Sequence, residues 1–114
     1  MRLQSPSEMA LYLWDYFYLK ECPTPNEREP WRKIECATIR IRDSEPYLEE
    51  SYPPTVRLRN AKRIRRAVRE ILKRIPDLET IPESWTAEVL AYFEVASEAV
   101  IESLRNADLA VGRH

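Results

Sequence analysis

The side chains best able to do chemistry in this chain are few and far apart. His114 is the only histidine and Gly112 is the only glycine. The two cysteines are Cys22 and Cys36. A metal site needs a cluster of such ligands, and a nucleophile needs a base within reach. A phosphate-cradling loop needs several glycines. The sequence therefore predicts no catalytic residue, no metal site and no cofactor.

One pair of polar positions is similar to an enzyme motif. Arg105-Asn106 followed by His114 resembles the Arg…His signature of the helical HEPN ribonucleases. The gap is longer than in that family, and the residues expected around it are absent. The glutamates are scattered over helix faces without a pair suited to general acid–base work. We therefore expect a protein that is not an enzyme.

The most distinctive stretch is 55–75, TVRLRNAKRIRRAVREILKRI, which has nine basic residues and one acid, a net charge of +8. Apolar residues at spacings of three and four predict a helix with one buried face, with Ala67 and Leu72 widening that face. Pro53-Pro54 and Pro76 bound the helix. The opposite arc forms what we call the basic face: Arg59, Lys62, Arg63, Arg65, Arg66, Arg69, Lys73 and Arg74.

The basic face needs a compensating partner, because like charges on one helix face repel each other. Arginine outnumbers lysine, which suits bidentate contacts to phosphate. We expect the face to bind a DNA or RNA backbone without reading sequence. Two alternatives remain open: an acidic protein surface, or solvent and internal pairing. The acids available for internal pairing lie on the last helix: Glu88, Glu94, Glu98 and Glu102.

An aromatic helix is predicted over 6–21, after the capping box Ser5-Pro6-Ser7-Glu8. Its apolar side chains go almost all the way round, so it is either a core helix or a surface for self-association or a partner. Residues proposed for that protein interface are Tyr12, Trp14, Tyr16, Phe17 and Tyr18.

The remaining chain predicts two more helices. One covers 30–42, where Pro30 opens the helix, although 37–42 also alternates as a strand would. A connector rich in proline and tyrosine follows over 43–54. The last helix covers 83–107, and its broad apolar face predicts the core helix. With one glycine and nine prolines in 114 residues, we expect a single all-α domain, a bundle of about four helices with the last two long.

Charge is polarised along the chain, and no segment indicates export or membrane insertion. Residues 1–54 sum to −3 and residues 76–114 to −6 around the +8 segment. No signal peptide is evident, and the longest apolar run, Met9–Leu19, contains Asp15 and is shorter than the ~20 residues that span a bilayer. Two cysteines fit free thiols in a reducing compartment, with a bridge between them left open. We expect a cytoplasmic protein.

Part of the chain resembles the first two helices of a core histone. The resemblance covers residues 63–104 and rests on Arg66-Ala67-Val68-Arg69-Glu70-Ile71, on Ala96-Ser97-Glu98-Ala99 and on the apolar positions through Leu104. It implies pairing with a second subunit and a grip on DNA phosphates through loops and helix ends. Here the connecting loop is longer, the third helix is absent, and residues 1–54 are acidic and aromatic.

Together these features predict a non-catalytic small subunit of a nucleoprotein assembly. The basic face would lie on nucleic acid, and the aromatic helix would hold a neighbouring protein. The alternative is a protein-binding inhibitor or adaptor, such as a small phage or mobile-element protein, that docks on an acidic surface of a host complex.

Overall fold

Four α-helices make up the computed structural model, which describes residues 5–19 and 25–111 and, for residues 25 and 106–111, the backbone alone. The helices are α1 (Pro6–Leu19), α2 (Arg28–Ser44), α3 (Pro54–Arg74) and α4 (Ser84–Val111). Short 3₁₀ turns lie at Pro25–Glu27, Glu45–Leu48 and Ile75–Asp77. No strand occurs in these residues, so the all-α bundle with two long final helices is confirmed.

The helix starts follow local capping chemistry. The Ser5 hydroxyl accepts the Glu8 backbone N–H at 3.2 Å, with Pro6 at the first helical position, as the sequence predicts. Lys20 and Glu21, the predicted end of this helix, lie outside the described residues. α2 begins at Arg28, before Pro30, and runs on to Ser44. Proline is tolerated there because the first N–H groups of a helix have no intrahelical partner.

The connector before α3 is shorter than predicted. Residues 43–44 belong to α2, and the 3₁₀ turn lies at Glu45–Leu48 instead of 47–50. Arg57, which the helical spacing places on the apolar side of α3, donates its Nε to the Leu48 carbonyl at 3.1 Å. α3 itself agrees with the predicted 55–75 to within one residue at each end.

α3 is the central helix of the bundle. It packs against α2 on one side and α4 on the other, while α1 lies on α2 and meets α4 through the Trp85 ring. Trp31 of α2 is buried and donates its indole N–H to the Phe17 carbonyl at 3.0 Å. The continuous core has these members: Ala10, Leu13, Phe17, Trp31, Ile34, Ala37, Ile41, Ile64, Ala67, Val68, Ile71, Val89, Leu90 and Phe93.

α4 is rotated slightly from the face that its apolar residues predict. Tyr92 and Ala99 fall on the apolar face that the helical spacing of 83–107 predicts, but Tyr92 is 40% exposed and Ala99 is exposed too. Thr86 and Ser97 are buried instead, and their hydroxyls donate to backbone carbonyls one turn earlier, at 2.7 and 3.0 Å. Because each hydroxyl is satisfied within the helix, burial is inexpensive and the small side chains allow close packing.

A buried carboxylate fixes the loop between α3 and α4. Glu27 is 1% exposed, and its carboxylate accepts the Thr80 backbone N–H at 2.8 Å and the Thr80 hydroxyl at 3.4 Å. The sequence gives no sign of this contact, since the two residues are 53 positions apart. The contact ties the beginning of α2 to the loop that leads into α4.

Candidate nucleic-acid interface

The basic face lies on the outer surface of α3, as the helical spacing predicts. The buried side of the helix contains Asn60, Ala61, Ile64, Ala67, Val68 and Ile71. Leu72, predicted to widen the apolar face, is 41% exposed and borders the cations instead. Six of the eight cations are exposed, while Arg65 and Arg74 at the edges are partly buried, with side chains 24% and 26% exposed.

Three of the eight cations form ion pairs. Arg65 and Arg69 both reach the Glu98 carboxylate of α4, at 3.3 and 3.2 Å. Arg74 pairs with Glu70 one turn earlier in α3, at 3.0 Å. Partly exposed pairs of this kind contribute only ~0–1 kcal/mol each. The pairs therefore hold the two edges of the face in place without neutralising its centre.

The acidic residues of α4 form fewer ion pairs with the basic face than the sequence would permit. Of the four predicted partners, Glu98 alone reaches the basic face within the part of the chain that the structure describes. Glu102 pairs with Arg105 in its own helix at 3.7 Å. Neither Glu88 nor Glu94 forms an ion pair with a described residue. Ion pairs within the described chain thus involve a minority of the cations on the basic face.

Five of the eight cations of the basic face have no ion pair within residues 5–19 and 25–105, and we call them the unpaired cations: Arg59, Lys62, Arg63, Arg66 and Lys73. Four of these, together with Arg69, recur every three or four residues and so share one line along the helix. From Arg59 to Lys73 that line is about 21 Å long at 1.5 Å per residue. This length is comparable to about six phosphate steps of one DNA strand.

A shallow depression of about 390 Å³ lies between the side chains on this face. Its only acidic member is Glu70. The hydrogen bond from Arg74 is the main cause that lowers the pKa of Glu70, and the charges of Arg74, Lys73 and Lys33 act in the same direction. Glu70 therefore stays ionised near neutral pH and leaves the depression with an excess of positive charge. The lining residues are Lys62, Arg65, Arg66, Arg69, Glu70 and Lys73.

The predicted protein-interface residues of α1 separate into two groups, of which the first contacts other helices of the bundle, although Tyr12 is still 38% exposed. Phe17 is fully buried beside the Trp31 ring, 5.2 Å away, so its prediction as a surface residue is wrong. Tyr12 and Tyr16 meet the Trp85 ring edge-on, at 5.7 and 5.3 Å. An all-round apolar pattern cannot show which side faces the core, and α2 and α4 cover more of α1 than its sequence indicates.

The second group stays near the surface. Trp14 and Tyr18 stack with ring centroids 4.8 Å apart, and the Arg42 guanidinium lies 4.4 Å above the Trp14 ring. Tyr18 is 53% exposed, and Leu19 beside it is 70% exposed. The aromatic surface that α1 offers to a partner is therefore smaller than predicted.

Metal-ligand side chains do not form a cluster within the described chain. No group of three or more His, Cys, Asp and Glu side chains in that part is placed to hold a metal ion. Cys36 is an exposed free thiol. Cys22, Gly112 and His114 lie outside the described residues, so the open questions about the disulfide and about the Arg105…His114 pair stay as they were.

Comparison with known proteins identifies no relative of this chain. No protein-family model, no curated protein and no solved structure matches the chain at a significant level. The resemblance of residues 63–104 to the histone fold stays a prediction. Within the described residues, no helix has both the length and the apolar character needed to cross a membrane.

Proposed function

We propose that this protein is a non-catalytic small subunit of a nucleoprotein assembly that binds a DNA or RNA backbone through the basic face of α3. The observation that carries the proposal is the set of unpaired cations, which lie exposed on one rigid helix, most of them in one line. When such a surface binds a phosphate chain, it displaces the counterions condensed on the nucleic acid, and their release drives binding. The exposed thiol of Cys36 fits a cytoplasmic location.

The contacts position the protein without reading bases. The cations lie on a helix whose apolar side is buried against α2 and α4. The unpaired cations therefore point outward, most of them in one row, which suits phosphates rather than base edges inside a groove. Arg65 and Arg69 can exchange Glu98 for phosphate at small cost, because their pairs are partly exposed.

A neighbouring protein would bind on the other side of the molecule. The supporting observation is the exposed apolar surface at the end of α1, where Tyr18 is 53% and Leu19 is 70% exposed. Tyrosine is enriched among interface anchors, and the exposed Leu19 extends the apolar surface beside it. The two surfaces would let the protein sit between a nucleic acid and a protein neighbour.

The direct test is binding of purified protein to labelled single-stranded and double-stranded DNA and RNA at low and moderate salt. Reversing the charge at Lys62, Arg63, Arg66 and Arg69 should abolish binding while circular dichroism shows an intact helical fold. The charge-matched comparison is Lys62→Glu/Arg66→Glu against a control that reverses Arg28 and Arg32, which are exposed on α2, because each pair of reversals changes the net charge equally.

Two results would decide against the proposal. Absence of binding to every nucleic acid at low salt would refute it. Equal loss of binding in the α2 control would show that net charge matters and the basic face does not. In either case a pull-down for an acidic protein partner, with the same α3 variant as control, would test the role of inhibitor or adaptor.

A further inference from the structure

An apolar groove lies on a part of the surface that the basic face does not reach. It has a volume of about 420 Å³ and is formed where the start of α1, the 3₁₀ turn Glu45–Leu48 and the middle of α4 meet. This volume is in the range of small ligand and side-chain pockets. Residues lining it are Ser5, Pro6, Ser7, Glu45, Leu48, Glu49, Tyr92, Phe93, Ala96 and Val100.

The floor of the groove is apolar and rigid. Phe93 belongs to the core and is fully buried, and Leu48 packs against the same core. Ala96 and Val100 follow on α4 and are partly exposed, while Tyr92 is 40% exposed. Exposed apolar surface of this kind is unfavourable in water unless something covers it.

The rim of the groove is acidic. Glu45 and Glu49 are its only charged members, and the Glu45 carboxylate accepts the Ser7 hydroxyl at 2.8 Å. Arg57 of α3 lies behind the turn, where its Nε donates to the Leu48 carbonyl, and it is not among the lining residues. A ligand that occupies the groove therefore lies beside two carboxylates.

The two helices beside the groove extend the negative charge. α1 contains two acids and no cation. Residues 84–105 of α4 contain four acids, of which Glu98 faces α3, and a single cation, Arg105, which Glu102 already pairs. A second copy that presented the same face would bring like charges together, which opposes association. A partner with positive charge is favoured instead.

We propose that this groove binds a basic peptide segment of another protein, inserting one or two large apolar side chains between flanking lysines or arginines. The apolar side chains fill the space above Phe93, Ala96 and Val100, and the cations meet Glu45 and Glu49. Burial of the apolar anchor provides most of the affinity, and the acidic rim selects for basic flanking residues.

The test uses a phage-displayed library of random twelve-residue peptides selected on the full-length protein. Selected peptides should have net positive charge and at least one Leu, Met, Phe or Trp. Their affinity, measured by fluorescence anisotropy, should fall at least tenfold in Ala96→Arg, which fills the groove, and in the double variant Glu45→Lys/Glu49→Lys. Glu88→Lys, an exposed α4 change outside the groove, is the matched control and should stay within twofold of wild type.

Selection of neutral or acidic peptides, or of none, would overturn the proposal, as would equal losses in Glu88→Lys. Sedimentation equilibrium tests for a further outcome, which is self-association of the protein. If the protein self-associates and Ala96→Arg abolishes this, a second copy occupies the groove and the basic-peptide proposal is wrong. Lys62→Glu/Arg66→Glu should leave peptide binding unchanged, so failure of the nucleic-acid proposal would leave the groove result intact.

Discussion

Replacing Lys62 and Arg66 by alanine should reduce the salt dependence of DNA binding by a calculable amount. If all five unpaired cations contact phosphates, the slope of log K against log salt is about −4.5 for duplex DNA, and the double variant has a slope of about −2.7. Between 50 and 200 mM salt, wild type should lose about 500-fold in affinity and the variant about 40-fold. Alanine preserves the helix, because it has the highest helix propensity.

The assay is fluorescence anisotropy with one labelled duplex over a series of salt concentrations. Arg28→Ala/Arg32→Ala removes the same charge from exposed positions on α2 and should leave the slope unchanged. Thermal unfolding of each variant confirms that the fold is retained. A wild-type slope flatter than about −2, or the same slope in wild type and in the α3 variant, would refute the idea that this helix face contacts phosphates.

Four further measurements follow from the contacts described above. Glu98→Gln removes the partner of two arginines, so binding should tighten and the slope should become steeper by up to about 1.8; weaker binding would contradict this. Glu27→Ala should lower the free energy of unfolding in urea by about 1–3 kcal/mol, whereas the exposed control Glu29→Ala should not. Phe93→Ala, a core truncation, should cost about 3–5 kcal/mol in the same assay. Arg74→Ala should raise the pKa of Glu70 toward its ordinary 4.5, followed by NMR titration. Since that pKa is lowered in the fold, the ionised carboxylate favours folding above pH 4.5, and its contribution disappears as pH falls through the lowered value.

The position and the buried side of α3 can be predicted from the sequence because two signals agree there. Apolar residues keep a regular spacing of three and four, and prolines bound the segment, so both the buried side and the basic face follow from helix geometry. The same reasoning failed for the orientation of α4 because it treats Thr86 and Ser97 as surface residues. Their hydroxyls bond within the helix, which removes the penalty for burying them.

Features that combine distant segments of the chain cannot be predicted from local sequence patterns. The apolar groove joins three elements, and none of its contributors is unusual in its own stretch of sequence. For α1, an all-round apolar pattern indicates burial without indicating a direction, so it does not distinguish Phe17, which is in the core, from Tyr18, which is exposed. These positions depend on how the helices pack, which local spacing does not encode.

The Glu27–Thr80 contact also bears on how fast the bundle opens. Most packing in this chain joins helices that are neighbours in sequence, and such local topology favours rapid folding. The carboxylate contact spans 53 residues and joins the start of α2 to the loop after α3, so we expect it to form late, after α2 and α3 dock. A contact that forms after the transition state changes the unfolding rate and leaves the folding rate nearly constant. Stopped-flow measurements on Glu27→Ala should therefore show faster unfolding and an unaltered folding rate, so Glu27 would govern the lifetime of the native bundle rather than its formation.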